Sequence, residues 1–214
     1  MTKIKICGLK RPEDIEMINK YRPDYCGFII NFPKSHRSLS PEQVRSLAAG
    51  VDREYIKTVG VFVDEPIENV AALLNDGTLD MAQLHGSESE GYIEILKKQT
   101  DKKIIKAFAV KDCRTLEAAA KSSEDYILLD QGQGSGQSFD WSILGSESAK
   151  EISGPDGFPE RDWFLAGGLN CGNIAEAIRR FHPFAVDLSS AVETDKFKDE
   201  RKVCDIISLV RNTD

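Results

Sequence analysis

Cys7 ends the first strand-like segment of the chain and is the first residue whose chemistry could serve a reaction. The segment Lys3–Cys7 alternates polar and apolar residues, as a strand does, and a glycine follows the cysteine. A cysteine there is either a buried thiol before a turn, because free cysteine is among the most buried side chains, or a thiolate that removes a proton from carbon. Reactive residues at the ends of other predicted strands favour the second interpretation, a thiolate that removes a proton.

Other predicted strands and one loop carry residues that can move a proton or bind a small molecule. Asp130 ends a strand and can act as an acid if burial keeps it protonated near neutral pH. Arg37 either binds a substrate carboxylate through its planar guanidinium or is a solvated loop charge. His85, shortly after Gln83, either hydrogen-bonds substrate or caps its strand. Asp187 either binds a sugar hydroxyl or orients the neighbouring loop.

Small residues follow the last two predicted strands. Gly167-Gly168 comes after one of them, and Ser189-Ser190-Ala191 comes after the next. Small side chains allow backbone N–H groups to approach an anion closely, and a following helix start adds a positive field. The alternative is ordinary turn chemistry. Because both segments follow consecutive late strands, we expect a phosphate site built from Gly168, Ser189, Ser190 and Ala191.

Strand-like and helix-like segments alternate along the whole chain. The predicted strands are Lys3–Cys7, Tyr25–Ile30, Ile56–Val63, Met81–Leu84, Ile104–Phe108, Tyr126–Leu129, Trp163–Ala166 and Phe184–Leu188. Helical periodicity is clearest in Pro12–Tyr21, Pro66–Leu74, Asp112–Ala120 and Asp199–Arg211. Further helices are predicted to begin at Ser40, which has a capping-box pattern, after Ser87–Glu90, and at the possible cap Asn170.

Eight strand-then-helix units predict a single (β/α)₈ TIM barrel of the α/β class over residues 1–214. The alternative is an open doubly wound sheet, which the same alternation permits. The first strand–helix turn, Cys7-Gly8-Leu9-Lys10, lacks the G-x-G-x-x-G pattern of such sheets. In a barrel the carboxyl ends of all strands face one mouth, so Cys7 and Asp130 are expected on opposite walls of one pocket. Proton removal on one side and donation on the other would need no redox cofactor.

Composition limits the classes of partner. The 28 basic and 35 acidic residues give a net charge of −7, which argues against a nucleic-acid surface. The apolar runs are too short for a membrane span or signal peptide. Five widely spread cysteines without a C-x-x-C pair indicate a reduced, cytoplasmic chain. The three histidines have no ligand spacing, so no metal is expected.

Six segments together resemble one family, the phosphoribosylanthranilate isomerases of tryptophan biosynthesis. They run through the chain in family order and cover it from one end to the other. The segments are Lys5-Ile6-Cys7-Gly8-Leu9, Ser35-His36-Arg37, Gln83-Leu84-His85-Gly86, Asp130 with Gly134-Ser135-Gly136-Gln137-Ser138-Phe139-Asp140-Trp141, Leu165-Ala166-Gly167-Gly168-Leu169-Asn170, and Val186-Asp187-Leu188-Ser189-Ser190-Ala191-Val192-Glu193-Thr194.

The resemblance implies an Amadori rearrangement of N-(5-phosphoribosyl)anthranilate to 1-(o-carboxyphenylamino)-1-deoxyribulose 5-phosphate, without metal or cofactor. Asp130 falls on the family's acid, which protonates the furanose ring oxygen, and Cys7 falls on the base that removes the C2 proton. Arg37 falls where the family's arginine meets the anthranilate carboxylate. The phosphate would lie against the late loops near Gly168 and Ser189–Ala191. The only partner expected is a phosphorylated small molecule, and the chain would be a monomer or homodimer.

The chain departs from the family where glycine is common, because it has Gln133, Ala191 and Lys196. At residue 191 a Cβ could crowd the phosphate or resist a positive φ, and our hypothesis is that Ala191 is accommodated. Gln133 could alter the closure of its loop. The role of Gly145–Pro159 is not evident from the sequence.

Other enzymes with phosphosugar barrels remain alternatives. An epimerase would be expected to place metal-binding histidines and carboxylates at strand ends, and an indole-glycerol-phosphate synthase a lysine and glutamates. Neither pattern stands out. A third possibility is a non-catalytic barrel that senses a phosphorylated aromatic metabolite, against which the intact Cys7 and Asp130 argue.

Overall fold

Strands and helices alternate in the computed structural model, which describes residues 1–122, 124–130, 143–144 and 162–213. The described strands are β1 (Lys3–Cys7), β2 (Tyr25–Ile30), β3 (Ser38–Leu39), β4 (Lys57–Phe62), β5 (Met81–Leu84), β6 (Lys103–Ala109), β7 (Tyr126–Asp130), β8 (Trp163–Leu165), β9 (Ala185–Leu188), β10 (Glu193–Thr194) and β11 (Phe197–Lys198). The described helices are α1 (Pro12–Tyr21), α2 (Pro41–Ala48), α3 (Ile67–Asn75), α4 (Glu90–Gln99), α5 (Cys113–Lys121), α6 (Ile174–Phe181) and α7 (Glu200–Arg211), with a 3₁₀-helix at Ser190–Val192. All eight strands predicted from the sequence are present.

The strand order identifies the fold. One sheet has the order β1-β9-β8-β7-β6-β5-β4-β2-β3, and β1 also pairs with β2. Eight strands therefore close on themselves, while the short β3 only extends β2. The fold is the predicted (β/α)₈ barrel of the α/β class. The open doubly wound sheet is wrong, because such a sheet would keep two edge strands instead of pairing β1 on both sides.

Contacts divide the chain into two compact units. One is Lys5–Lys106, and the other combines 1–4 with 107–214. The division falls within β1 and β6, so each of these strands contributes residues to both units. Each unit is described separately below.

In the unit Lys5–Lys106, the strand register places Cys7 beside Gly27, Gly27 beside Val59 and Val59 beside Met81. Residues paired in this way point to the same face of a parallel sheet. Helix α2 begins with the predicted capping box, in which Ser40 Oγ accepts from the Gln43 N–H and the Ser40 N–H donates to Gln43 Oε1.

In the second unit, β7, β8 and β9 pair in parallel, so that Leu129 lies beside Leu165 and Leu165 beside Val186. The predicted cap Asn170 is wrong, because α6 begins at Ile174 and the residue before it is Asn173. The Asn170 side chain instead accepts from the Gly172 N–H at 2.8 Å, so it stabilises the preceding turn.

Three short strands were not predicted. β3 pairs with the end of β2, and β10 and β11 form an antiparallel hairpin with Glu193 beside Lys198. The hairpin turn uses left-handed backbone at Asp195 (φ 51°) and Lys196 (φ 67°). Lys196 therefore occupies a conformation that favours glycine.

Several sequence-based expectations lie outside the described residues, namely those for Gln133, for the segment from Gly134 to Trp141 and for Gly145–Pro159. Within the described residues, no helix is both long enough and apolar enough to cross a membrane.

Candidate active site

Cys7 is the last residue of β1, as predicted, and only 6% of its surface is exposed. The next two residues turn back onto β2, because the N–H groups of Gly8 and Leu9 both donate to the Gly27 carbonyl, at 2.9 and 3.0 Å. A side chain at residue 27 would place its Cβ 2.7 Å from Cys7 Sγ. The thiol therefore lies against bare backbone of β2 at the carboxyl end of β1.

Two buried residues near Cys7, one on β1 and one on β2, were not singled out by the sequence analysis. Lys5 is fully buried and, two residues before Cys7, lies on the same face of β1. Cys26, beside Gly27 on β2, is also fully buried, and this burial raises the pKa of its thiol. A buried thiol with a raised pKa is unreactive, so Cys26 is an inert thiol. It also lies within β2, whereas Cys7 lies at the end of β1.

Arg37 lies at the carboxyl end of β2, because the loop that carries it folds back onto that strand. The Arg37 N–H donates to Ser35 Oγ at 3.2 Å, and Ser38 Oγ accepts from the Phe32 N–H at 2.9 Å. β3 then pairs with β2, with Ser38 beside Ile29. The half-buried Arg37 thus lies immediately before β3, which is paired with β2.

Gln83 and His85 lie at the end of β5 and contact each other. Gln83 Nε2 is 2.9 Å from His85 Nδ1, and the His85 N–H donates to the Phe62 carbonyl at 2.8 Å. Gln83 is only 2% exposed, and its Oε1 is buried without a hydrogen-bond partner among the described residues.

A buried ion pair fixes the loop that follows His85. Lys106 on β6 donates to Glu88 Oε2 at 2.8 Å and to the Gly86 carbonyl at 2.9 Å. Glu88 in turn accepts from the N–H groups of Asp64 and Gly86. The sequence analysis missed this pair. A lysine within the apolar β6 and an acid after β5 were the available signals, but nothing in the sequence pairs them.

Asp130 is the last residue of β7 and is half-buried. Its carbonyl accepts from the Val110 N–H at 2.7 Å, and the carbonyl of Leu129 accepts from the Ala166 N–H at 2.8 Å. The strand end that carries the carboxyl group is therefore held on both sides by neighbouring backbone. The expectation that the carboxyl group is protonated stays a prediction.

The backbone conformation of the two residues after β8 favours glycine. Gly167 and Gly168 have φ values of 86° and 68°, a left-handed conformation that favours glycine. The Gly168 carbonyl accepts from the side-chain amides of Asn170 and Asn173, both at 3.0 Å. These bonds direct the carbonyl towards the start of α6 and fix the loop.

The segment after β9 is held by a second buried ion pair. Lys198 Nζ donates to the Ser189 carbonyl at 2.9 Å and to Glu193 Oε1 at 2.8 Å, and the two side chains are 1% and 7% exposed. Ser190 and Ala191 begin the 3₁₀-helix. Ala191 is absent from the residues with positive φ, so its backbone does not require glycine.

In each unit, the predicted site residues lie at the carboxyl ends of parallel strands. The unit Lys5–Lys106 carries Cys7, Arg37 and His85 there, and the other unit carries Asp130, Gly168, Asp187 and Ser189–Ala191. Among the described residues, no three His, Cys, Asp or Glu side chains are arranged to hold a metal ion.

Comparisons with known proteins agree with this geometry. A family model described as N-(5'phosphoribosyl)anthranilate (PRA) isomerase matches residues 4–209. The chain is 42% identical over 217 residues to the N-(5'-phosphoribosyl)anthranilate isomerase of Endomicrobium trichonymphae, which covers 99% of this chain and 100% of that protein.

Two solved structures are similar over nearly all of their length. A monomeric form of the dimeric phosphoribosylanthranilate isomerase of Thermotoga maritima has a TM-score of 0.82 and 32% identity, with 99% of each chain covered. A phosphoribosyl anthranilate isomerase in complex with reduced 1-(o-carboxyphenylamino)-1-deoxyribulose 5-phosphate has the same TM-score of 0.82, identity of 32% and coverage of 99% of each chain. From the family match, the identity and the barrel, this chain belongs to the N-(5'-phosphoribosyl)anthranilate isomerase family.

Proposed function

We propose that this chain catalyses the Amadori rearrangement of N-(5-phosphoribosyl)anthranilate to 1-(o-carboxyphenylamino)-1-deoxyribulose 5-phosphate in tryptophan biosynthesis. The observation that carries the proposal is the family match over residues 4–209, together with 42% identity to a relative across 99% of the chain. The reaction class is that of an intramolecular oxidoreductase, an aldose–ketose isomerase.

Asp130 and Cys7 would move the protons. Asp130 donates its proton to the furanose ring oxygen as the C1–O bond breaks, and the lone pair of the amine nitrogen forms the C1=N bond of a Schiff base. The Cys7 thiolate then removes the proton from C2, which yields an enolamine. Addition of a proton to C1 and loss of the proton from the C2 hydroxyl then give the ketone at C2. Each group performs general acid or base chemistry, which needs no redox cofactor.

The placement of Cys7 supports its role as base. The residue ends a strand of a parallel barrel, where the residues that act on substrates collect. Its neighbour Gly27 has no side chain to cover the thiol, and the buried Lys5 lies on the same face of β1.

The remaining site residues would bind the two anionic ends of the substrate. Arg37 would pair with the anthranilate carboxylate through two parallel hydrogen bonds. The phosphate would be bound by backbone N–H groups near Gly168 and in Ser189, Ser190 and Ala191. His85 and Asp187 would contact the ribosyl part. The similar structure that holds a reduced product analogue, with its carboxyphenyl and phosphate groups, supports a ligand of this kind.

We further propose that residues 1–214 act as one catalytic domain in the cytoplasm, as a monomer or homodimer, without metal, cofactor or nucleic acid. The similar Thermotoga maritima protein is described as dimeric. The net charge of −7 supports the absence of a nucleic-acid partner.

The decisive test follows the loss of substrate fluorescence when the purified chain is added to phosphoribosylanthranilate. We expect turnover that continues in the presence of a metal chelator, with the ketose as product. Binding of the substrate without turnover would contradict the proposal and favour a sensor. Strong inhibition by the chelator would contradict the metal-free mechanism.

A further inference from the structure

Gln83 carries a buried polar atom that no described residue satisfies. Its side chain is 2% exposed, yet Oε1 has no hydrogen-bond partner among the described residues. Buried carbonyl oxygens are nearly always paired, because an unpaired one loses its hydration without compensation. An orphaned oxygen of this kind is satisfied either by an ordered water or by a ligand that supplies the missing donor.

The neighbours of Gln83 in the sheet cannot supply that donor from their side chains. Gln83 lies beside Val61 on β4 and Ile105 on β6, and both of these side chains are apolar and buried. The register Cys7, Gly27, Val59, Met81 places these four residues on one face, and Gln83 comes two residues after Met81 on β5. Gln83 therefore points to the same face of the sheet as Cys7.

The nitrogen of the Gln83 amide determines which ring nitrogen of His85 carries the proton. Gln83 Nε2 lies 2.9 Å from His85 Nδ1. With the amide in this orientation its nitrogen donates, so Nδ1 accepts and carries no proton, whereas the reversed amide would require a proton on Nδ1. The neutral ring therefore carries its proton on Nε2, which makes Nε2–H the donor of His85.

The chemistry of the substrate limits which part can meet Gln83 Oε1. At neutral pH the carboxylate and the phosphate dianion offer mainly acceptors, whereas the ribosyl hydroxyls and the secondary amine offer donors. Only this central part can donate a hydrogen bond to a carbonyl oxygen. It is also the part whose bonds change in the proposed reaction.

We propose that Gln83 is a substrate-binding residue with two functions. Its Oε1 accepts a hydrogen bond from a hydroxyl or N–H group in the central part of the substrate, and its Nε2 holds His85 as the Nε2–H tautomer. The identity of the substrate rests on the proposed function. The tautomer of His85 does not, and it can be measured without any substrate.

The tautomer is tested by nitrogen NMR on the chain labelled with ¹⁵N-histidine, with His85→Gln to assign the resonances. We expect Nδ1 of His85 to be unprotonated and Nε2 to be protonated. In Gln83→Glu a carboxylate faces Nδ1, so we expect that nitrogen to gain a proton. A proton on Nδ1 in the wild type would overturn this part of the proposal, because the Gln83 oxygen would then be the atom bonded to His85.

The substrate contact is tested with Gln83→Met, which keeps the length of the side chain but removes both polar groups. We expect kcat/KM to fall at least about 10-fold, the effect of one lost hydrogen bond to a bound substrate. The affinity for inorganic phosphate as an inhibitor should stay unchanged, which a general loss of structure would not allow. Met81→Leu, on the same strand and face, controls for repacking and should retain wild-type kcat/KM.

The outcomes separate the two proposals. If the wild type does not convert phosphoribosylanthranilate, the proposed function fails, whereas the NMR result still decides the tautomer. If the wild type is active and Gln83→Met, folded by circular dichroism, matches it in kcat/KM, the role of Gln83 in substrate binding is wrong.

Discussion

The Sγ atom of Cys7 occupies the space that a side chain at residue 27 would need. A Cβ at Gly27 would lie 2.7 Å from Sγ, 3.2 Å from the Cys7 Cα and 3.3 Å from its Cβ. The two residues are direct neighbours in the register of β1 and β2. The position of the proposed catalytic thiol is therefore determined by the adjacent strand as well as by its own.

Gly27→Ala should displace the thiol. Because the contacted atoms include backbone, we expect the free energy of unfolding to fall by about 1–3 kcal/mol, the cost typical of overpacking, together with a loss of kcat/KM. Urea unfolding and the fluorescence assay measure both effects. Gly91→Ala is the matched control, because a Cβ there meets only Ser89 Oγ at 3.8 Å. Wild-type stability and activity in Gly27→Ala would contradict this interpretation.

Removal of either proton-transfer group should slow the reaction more than it changes the fold. We expect Cys7→Ser and Asp130→Asn each to lower the rate at least about 10²-fold, the lower range for one general acid or base. The assay is the loss of phosphoribosylanthranilate fluorescence. Cys204→Ser and Asp205→Asn, both on α7, make the same chemical changes away from the site and should stay active. Unchanged rates in the first two variants would remove both residues from the mechanism.

The sequence predicted the ends of the strands and therefore the positions of the site residues. Alternation of polar and apolar residues locates a strand, and in a parallel barrel the residue at its carboxyl end lies at the functional edge. Cys7 and Asp130 could be placed in this way without any structural information, and both end their strands. This reasoning succeeds because it needs only local periodicity and one rule of topology.

The interactions that fix the loops could not be predicted in the same way. Lys106 and Glu88 pair across 18 positions, and both are buried, although charged residues are usually exposed. Asn170 was a reasonable cap from its type, but its side chain stabilises the turn before α6. The sequence placed Gln83 near a strand end. It could not show that Gln83 Oε1 lacks a hydrogen-bond partner, because that depends on which side chains the strand register places beside it. Such pairings depend on tertiary contacts.

Cys26 should make stability depend on pH in the alkaline range. Burial raises the pKa of this thiol above its ordinary value of 9.0, so above about pH 9 the unfolded chain loses a proton that the folded chain keeps. The unfolded state then binds fewer protons, and the free energy of unfolding falls as pH rises, by up to about 1.4 kcal/mol per pH unit.

The measurement compares urea unfolding at pH 8 and pH 10 in the wild type and in Cys26→Ala. The variant should lack this part of the pH dependence, whatever its absolute stability. Cys204→Ala, in which a half-buried thiol is removed, should keep it. Equal pH dependence in Cys26→Ala and the wild type would show that the buried thiol does not contribute.

Lys198 should affect substrate binding through Ser189. Its ammonium group donates to the Ser189 carbonyl and to Glu193, and both charged side chains are almost fully buried. Lys198→Met leaves the Glu193 carboxylate buried without its cation, so we expect a loss of about 3–5 kcal/mol in the free energy of unfolding. Lys198→Met combined with Glu193→Gln should recover part of that loss, because no uncompensated charge remains.

The effect on the site should persist in the double variant. Without the Lys198 donor on the Ser189 carbonyl, the segment Ser189–Ala191 loses one of the bonds that fix it, so KM for the phosphorylated substrate should rise more than kcat falls. Lys202→Met provides the matched control: its ammonium donates to the exposed hairpin at the Glu193 carbonyl, at 2.7 Å, without contacting Ser189. A double variant with regained stability but wild-type KM would show that the Lys198 bond serves only the fold, and that the proposed phosphate loop holds its conformation without it.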